Sequence, residues 1–134
     1  MTPAQARARF AAARVARLAT VSAAGQPHLV PITFAVENDT VYSAVDAKPK
    51  RSTALRRLAN VAANPRVSLL VDEYDEDWSR LWWARADGTA RTLLADAPEA
   101  MRAASLLAAR YPAFALRGVV LAVDVNRWTG WTAA

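Results

Sequence analysis

The sequence predicts a mainly β protein with α-helices: an antiparallel sheet closed into a small barrel, with the helices outside. The length supports one domain over residues 1–134 with one core, because domains typically contain about 100–150 residues. Short apolar segments with period-two alternation follow one another through tight turns, which is typical of antiparallel strands. Only three segments show helical spacing instead.

The predicted elements follow in order along the chain. The first helix is predicted over 3–14, since Thr2 can cap it and Pro3 suits its first turn. The clearest strand is 28–36, in which Val30 and every second residue after it point to one face. The other predictions are strands over 17–21, 40–45, 67–71, 81–92 (bent at Gly88) and 119–125, and helices over 51–62 and 98–110, which gives six strands and three helices.

Composition narrows the function classes. The absence of cysteine excludes disulfides, thiolate catalysis and cysteine-bound zinc, and one histidine argues against a histidine metal site. The chain is 54% hydrophobic and carries charges of both signs, which argues against disorder. No apolar run approaches the ~18–20 residues that span a bilayer, and the first residues lack a signal-peptide apolar region. We expect a cytoplasmic, metal-free protein.

The charges are strongly zoned. Residues 48–57 carry five cations and no acid, whereas residues 72–77 carry five acids. The basic cluster lies where a helix is predicted to begin, and a helix N-terminus disfavours cations unless an anion such as phosphate binds there. A solvated basic face is about equally compatible with the pattern. The acidic segment lacks the glycine and oxygen spacing of a calcium loop, so we expect it to be a solvated loop.

Aromatic residues and the single histidine suggest further sites. Trp82 and Trp83 are adjacent in a predicted strand, so they point to opposite faces, and the outward one needs a partner chain or a flat ligand. His28 lies on the same strand as Pro31, which marks a sheet edge, and we favour a structural role over catalysis. Helix 51–62 shows a stripe of Leu55, Leu58 and Ala62. No hydrolase motif is present.

Several motifs follow one another in a distinctive order along the chain. They are Pro31-Ile32-Thr33-Phe34, then the basic cluster, Asn64-Pro65, Val67-Ser68-Leu69-Leu70-Val71, and Trp83-Ala84-Arg85-Ala86-Asp87-Gly88-Thr89-Ala90. This ordered set resembles the pyridoxamine 5′-phosphate oxidase-like superfamily of FMN-binding split barrels. The stretch 72–83 and the ending Arg127-Trp128-Thr129-Gly130-Trp131 resemble one branch, the oxidoreductases that depend on the deazaflavin coenzyme F-420.

The resemblance implies a six-stranded antiparallel split β-barrel flanked by about three helices. It implies a homodimer with the flavin or deazaflavin in a groove between protomers, its ring along the backbone of Pro31, Ile32 and Thr33. Counting from the third strand assigns its phosphate to Lys48, Lys50 and Arg51, whereas counting back from Asn64-Pro65 assigns it to Arg56 and Arg57. Arg127 and Trp128 resemble family elements near the ring. The oxidase's C-terminal Arg-Leu-His-Asp-Arg element is missing, which argues against pyridoxamine-phosphate oxidation.

We therefore expect a dimeric oxidoreductase that transfers hydride from reduced coenzyme F-420 to a small organic acceptor, with no catalytic side chain assigned. The basic cluster favours the deazaflavin, whose tail adds carboxylates to a phosphodiester. The alternatives are an FMN-dependent reductase or flavin carrier and, from another class, a non-catalytic barrel that binds a cofactor or a nucleic acid. Basic and aromatic residues do not interleave, so we expect no nucleic-acid partner and no membrane.

Overall fold

The computed structural model describes residues 1–45, 52–113 and 118–134, with the backbone only for 52–55. The predicted phosphate ligands Lys48, Lys50 and Arg51 lie outside the described residues. Within these ranges the chain forms three α-helices, a short 3-10 turn (Trp78–Arg80) and seven strands. The elements are α1 (Pro3–Ala12), β1 (Ala16–Val21), β2 (Pro27–Ile32), β3 (Ala35–Glu37), β4 (Thr40–Ala44), α2 (Ser52–Ala63), β5 (Arg66–Glu73), β6 (Trp82–Leu93), α3 (Pro98–Arg110) and β7 (Val120–Thr132).

The strands form one antiparallel sheet in the order β2-β1-β5-β6-β7-β4-β3. Strands β2 and β3 lie at opposite ends of this order, although only Thr33 and Phe34 separate them in the chain. Three peptide units reach at most ~11 Å, whereas the edges of a flat seven-stranded sheet would lie ~29 Å apart. The sheet must therefore curl until its edges approach each other. The edge strands β2 and β3 are not paired with each other, so the sheet is not closed, contrary to the prediction. The split-barrel class itself is confirmed.

The second predicted strand is in fact two strands, which accounts for seven strands where the sequence predicts six. The break falls at Thr33 and Phe34, whose carbonyl groups bond to side chains. The Ser43 hydroxyl donates to the Thr33 carbonyl at 2.9 Å, and Arg110 Nη1 donates to the Phe34 carbonyl at 3.0 Å. Because these side chains come from β4 and α3, the sequence alternation gave no sign of the break.

The predicted bend at Gly88 is a β-bulge. The register of β6 against β7 shifts between Asp87 and Gly88, with Asn126 as the extra residue on β7. A side chain on Gly88 would collide with the backbone carbonyl of Asp124, so this position requires glycine. Beyond the bulge β7 stays paired with β6 as far as Thr132, which makes it much longer than the predicted strand 119–125.

Helix α1 supplies the centre of the core. Thr2 and Gln5 form a reciprocal capping box that fixes the start of the helix. Phe10 is fully buried, and its ring centroid lies 4.9 Å from that of Phe34 and 5.3 Å from that of Trp128. The main cluster of buried side chains extends from these rings across the inner face of β1, β5 and β6. Among the described helices, none has the length and apolar character needed to cross a bilayer.

Candidate functional site

The outer face of the sheet carries apolar and cationic side chains side by side. Arg17 on β1 pairs with Pro31 on β2 and with Leu70 on β5, and Leu70 pairs in turn with Arg85 on β6. These four residues therefore form a row across four strands. Leu29, two residues before Pro31, is 67% exposed. Apolar surface of this extent on one face is typical of an interaction surface.

The adjacent tryptophans point to opposite faces, as predicted. Trp82 packs against the core, and its indole Nε1 donates to Glu73 Oε2 at 2.8 Å. Trp83 lies on the outer face opposite Trp131, its register partner on β7. The Arg85 guanidinium lies 5.6 Å from the Trp83 ring centroid. These side chains border a cavity of about 370 Å³ whose lining residues are Leu70, Asp72, Glu73, Tyr74, Leu81, Trp82, Trp83, Arg85 and Trp131.

The predicted ring-binding residues occupy the end of edge strand β2. Pro31 is exposed on the outer face, whereas the Ile32 side chain is buried in the core. Thr33 follows β2, and its carbonyl accepts the bond from Ser43. The sheet order leaves β2 with β1 as its one neighbour, so the other edge of its backbone faces away from the sheet.

The predicted C-terminal pair is divided between the two faces of β7. Arg127 is exposed on the outer face, opposite Asp87. Trp128 is only 8% exposed, packs edge-on against Phe10, and donates its indole N–H to Asp39 Oδ1 at 2.9 Å. Of the two predicted residues, Arg127 alone is accessible to a ligand.

The two described arginines of the basic cluster differ sharply. Arg56 is exposed, whereas Arg57 is half-buried on α2. The Arg57 Nε atom is buried and has no hydrogen-bond partner among the described residues. Burial lowers the pKa of the Arg57 guanidinium, because the charged form loses solvation.

Arg57 belongs to a group of polar side chains that we call the inner polar cluster: Arg57 and Asn60 on α2, Thr20 on β1 and His28 on β2. Asn60 and Thr20 are buried, whereas Arg57 and His28 are half-buried. Asn60 is buried, and its side-chain amide donates to the buried Thr20 hydroxyl oxygen at 3.0 Å. Thr20 is the register partner of His28. The His28 Nδ1 atom is buried without a partner in the described part of the chain. Two buried nitrogen atoms of the cluster thus lack partners among the residues that the structure describes.

The sequence analysis missed this cluster because the stripe predicted on α2 was right only in part. Leu58 packs against the core as predicted, and the Leu55 side chain lies outside the described residues. Ala62 is exposed, however, while Asn60 and Val61 are buried. The spacing of Arg57, Asn60 and Val61 would have indicated the buried face, since residues three and four apart share a helix face. The prediction did not allow for polar side chains, those of Arg57 and Asn60, on the face of α2 that packs against the sheet.

A second polar group, which we call the ionic network, joins α3 to the sheet. Arg91 on β6 donates two bonds of 2.7 Å to the Glu99 carboxylate and bonds of 2.7 and 3.1 Å to Asp124. The Tyr42 hydroxyl donates to Glu99 at 2.8 Å. Bonding to Arg91 lowers the pKa of Glu99 to about 2, and burial next to Glu99 raises that of Tyr42 to about 12.

Comparison with known proteins finds a family profile, a curated protein and solved structures that are similar to this chain. The family profile described as pyridoxamine 5′-phosphate oxidase matches residues 2–132. A 5a,11a-dehydrotetracycline/5a,11a-dehydrooxytetracycline reductase of Streptomyces rimosus is 37% identical over 57 residues, which are 42% of this chain and only 39% of that protein. A conserved hypothetical protein of Mycobacterium tuberculosis superposes with a TM-score of 0.78 at 23% identity, over 99% of this chain and 86% of that one. An FAD-binding protein of Mesorhizobium loti gives 0.74 at 23% identity, over 97% and 94%.

Proposed function

We propose a function for this chain, which belongs to the pyridoxamine 5′-phosphate oxidase family. It is an oxidoreductase that uses the reduced deazaflavin coenzyme F-420 to reduce a small organic acceptor. The observation that carries the proposal is the family match over residues 2–132. The partial match to a tetracycline-type reductase supports reduction of an organic acceptor. The positive charge of residues 48–57 favours a cofactor tail with both phosphate and carboxylates.

The described residues fit such a cofactor at two places. The Nε atom of Arg57, which has no partner among the described residues, suits a phosphate oxygen, because a guanidinium donates charge-assisted hydrogen bonds in a planar fork. Trp83 and Trp131 present aromatic surface on the outer face, which suits a flat ring system.

In this mechanism the chain binds and orients the coenzyme and the acceptor, and the bound coenzyme supplies the hydride-transfer chemistry. The backbone of Pro31, Ile32 and Thr33 would lie along the ring. Either Arg56 and Arg57 or the residues Lys48, Lys50 and Arg51 would hold the phosphate, and Arg127 would approach from the outer face. Apolar side chains such as Leu29 and Leu70 would exclude water from the reacting atoms.

We propose that the active form is a homodimer, with the cofactor groove between the two protomers. The outer face supports this, because Leu29 and Trp131 are 67% and 47% exposed there and a second copy would cover them. Sedimentation should give about 29 kDa, twice the chain mass of 14.5 kDa. A monomer at micromolar concentration would contradict a shared groove.

Two alternatives remain from the sequence. The first is an FMN-dependent reductase or flavin carrier, and the likeness to an FAD-binding protein of Mesorhizobium loti adds FAD as a second flavin to test. A non-catalytic barrel that binds a cofactor or single-stranded nucleic acid is the candidate from another class. The acidic residues 72–77 would repel a nucleic-acid backbone, which argues against the latter.

Thermal-shift titration of the purified chain with coenzyme F-420, FMN and FAD tests the proposal. A ligand at 100 times its dissociation constant stabilises the folded state by ~2.7 kcal/mol, which is readily measured as a rise in melting temperature. We expect the largest shift with F-420. A larger shift with FMN or FAD would reverse the order of cofactors, and an oligonucleotide shift without any flavin shift would contradict the proposal.

A further inference from the structure

We propose that the cavity beside Trp83 and Trp131, which we call the aromatic cavity, binds a small organic cation: a flat or apolar molecule that carries a protonated amine. Its volume of about 370 Å³ falls within the range of small-molecule sites. The inference rests on the proposed function in one respect. The cation is assigned to the organic acceptor, because the cavity lies on the outer face that would border the cofactor groove.

A row of three side chains on the outer face forms one wall of the aromatic cavity. Asp72 on β5 is the register partner of Trp83 on β6, and Trp83 is the register partner of Trp131 on β7. The Cβ atoms of such opposed residues on antiparallel strands lie ~4.5–5.5 Å apart. Trp83 therefore has a carboxylate on one side and a second indole on the other.

Apolar and aromatic side chains complete the lining. Leu70 precedes Asp72 by two residues on β5, so it shares the outer face, and Tyr74 lines the cavity just beyond the end of that strand. The rings of Trp83, Trp131 and Tyr74 thus border one space. The face of an aromatic ring attracts a cation, and tryptophan attracts it most strongly.

The charged residues on the lining leave the aromatic cavity negative. Arg85 lines it too, but its guanidinium bonds to Asp87 Oδ2 at 3.1 Å, which compensates its charge. Of the described cations, none lies within ion-pair distance of Asp72 or Glu73. Among the described residues Glu73 accepts one side-chain hydrogen bond, from the Trp82 indole at 2.8 Å, so its second carboxylate oxygen is available to a ligand.

This charge distinguishes the two ring systems of the proposed reaction. Trp83 and Trp131 suit the flat ring of either the cofactor or the acceptor. The cofactor is an anion, which the carboxylates of Asp72 and Glu73 repel, whereas the same carboxylates attract an ammonium group. Residues 72–77 carry five acids in a chain whose net charge is +5, so the negative charge is confined to this end of the sheet.

Three probes that share a benzene ring and differ in charge test the inference: benzylamine (a cation at pH 7), benzyl alcohol (neutral) and benzoate (an anion). Each is titrated at constant ionic strength into protein labelled with ¹⁵N-tryptophan, and the indole N–H resonances are recorded. Trp83→Leu and Trp131→Leu identify two of the five indole signals, since each variant loses one. Asp72→Asn is compared with the matched control Glu76→Gln, which removes a charge from the same exposed segment but outside the cavity lining.

We expect benzylamine to move the Trp83 and Trp131 signals and to bind about 5-fold or more tightly than benzyl alcohol, with benzoate the weakest. Asp72→Asn should reduce this preference about 2- to 5-fold, because an ion pair is lost, whereas Glu76→Gln should keep it. Trp131→Leu should weaken benzylamine binding by a similar factor. Unmoved Trp83 and Trp131 signals, equal binding of benzylamine and benzyl alcohol, or equal preferences in Asp72→Asn and Glu76→Gln would overturn the site.

Titration with F-420 and FMN then separates this inference from the proposed function. If benzylamine binds as expected but neither cofactor does, the cation site stands and the proposed function fails. If a cofactor binds and benzylamine leaves the Trp83 and Trp131 signals unmoved, the inference is wrong and the proposed function stands. Benzylamine and cofactor bound together support the assignment to the acceptor, whereas displacement of benzylamine by the cofactor would overturn it.

Discussion

The ionic network and the inner polar cluster hold α3 and α2 against the same sheet in opposite ways. In the ionic network every charge has a partner: Arg91 lies between Glu99 and Asp124, and Tyr42 donates to Glu99. In the inner polar cluster one bond, from Asn60 to Thr20, is made, and two buried nitrogens lack partners among the described residues.

The difference separates structural polar groups from candidate binding groups. A satisfied network stabilises the fold and leaves no atom for a ligand, whereas an unsatisfied buried donor destabilises the fold until something binds it. Removing a partnered group should therefore lower the free energy of unfolding, whereas removing an unpartnered buried donor should not. The four predictions below test that contrast, beginning with the largest effect.

Arg91→Met should lower the free energy of unfolding by about 2–3 kcal/mol. The substitution removes bonds to two carboxylates and leaves Glu99 and Asp124 close together without the cation between them. Urea unfolding at pH 7 measures the loss. The matched control is Arg102→Met, whose own side chain is 67% exposed against 41% for Arg91, and which should lose less than about 1 kcal/mol. Equal losses in both variants would show that the ionic network stabilises the fold no more than the Arg102–Glu37 ion pair does.

Asn60→Ala should lower the free energy of unfolding by about 1–3 kcal/mol, because it breaks the buried bond to Thr20 and leaves a small cavity. The control is Asn64→Ala, just after the end of α2, where the half-buried side chain accepts one backbone hydrogen bond from Arg66. That variant should lose less than about 1 kcal/mol. If Asn60→Ala is as stable as the wild type, Asn60 does not fix α2 against β1.

Acid should weaken the ionic network through Glu99. The pKa of Glu99 is lowered from 4.5 to about 2 in the folded state. Its contribution to the free energy of unfolding is therefore full above pH ~4.5 and is lost as the pH falls through about 2. The Glu99 side chain is about a third exposed, so solvent screens its interaction with Arg91. We expect its contribution to the free energy of unfolding to be about 1–2 kcal/mol. Between pH 6 and pH 2, the free energy of unfolding should fall less steeply in Glu99→Gln than in the wild type. Parallel curves would exclude Glu99 as a source of the pH dependence.

Arg57→Met should leave the free energy of unfolding unchanged or raise it by up to about 1 kcal/mol in phosphate-free buffer. The substitution removes the Nε–H donor, which is buried without a partner among the described residues, and keeps much of the apolar stem. Thermal and urea unfolding measure the change, with Arg56→Met as the control at an exposed position. A loss as large as that of Arg91→Met would mean that Arg57 already has a structural partner.

Local patterns in the sequence determined most of the elements. Helix α3 begins at Pro98 and ends at Arg110 as predicted, because a proline start and a helical repeat are encoded within the segment. The bend at Gly88 and the opposite faces of Trp82 and Trp83 were also predictable, since glycine marks a bulge and strand side chains alternate. The motif order likewise indicated the family that the profile confirms.

Contacts between distant segments decided the rest. The break after Ile32 depends on hydrogen bonds from Ser43 and Arg110, which lie 10 and 76 residues from their acceptors. Trp128 lies in the core because α1 brings Phe10 against it. Asn60 and Thr20 are 40 residues apart, and His28 joins them only through strand pairing. A periodicity reports which residues share a face of one element, but which partner covers that face is set by packing over the whole chain.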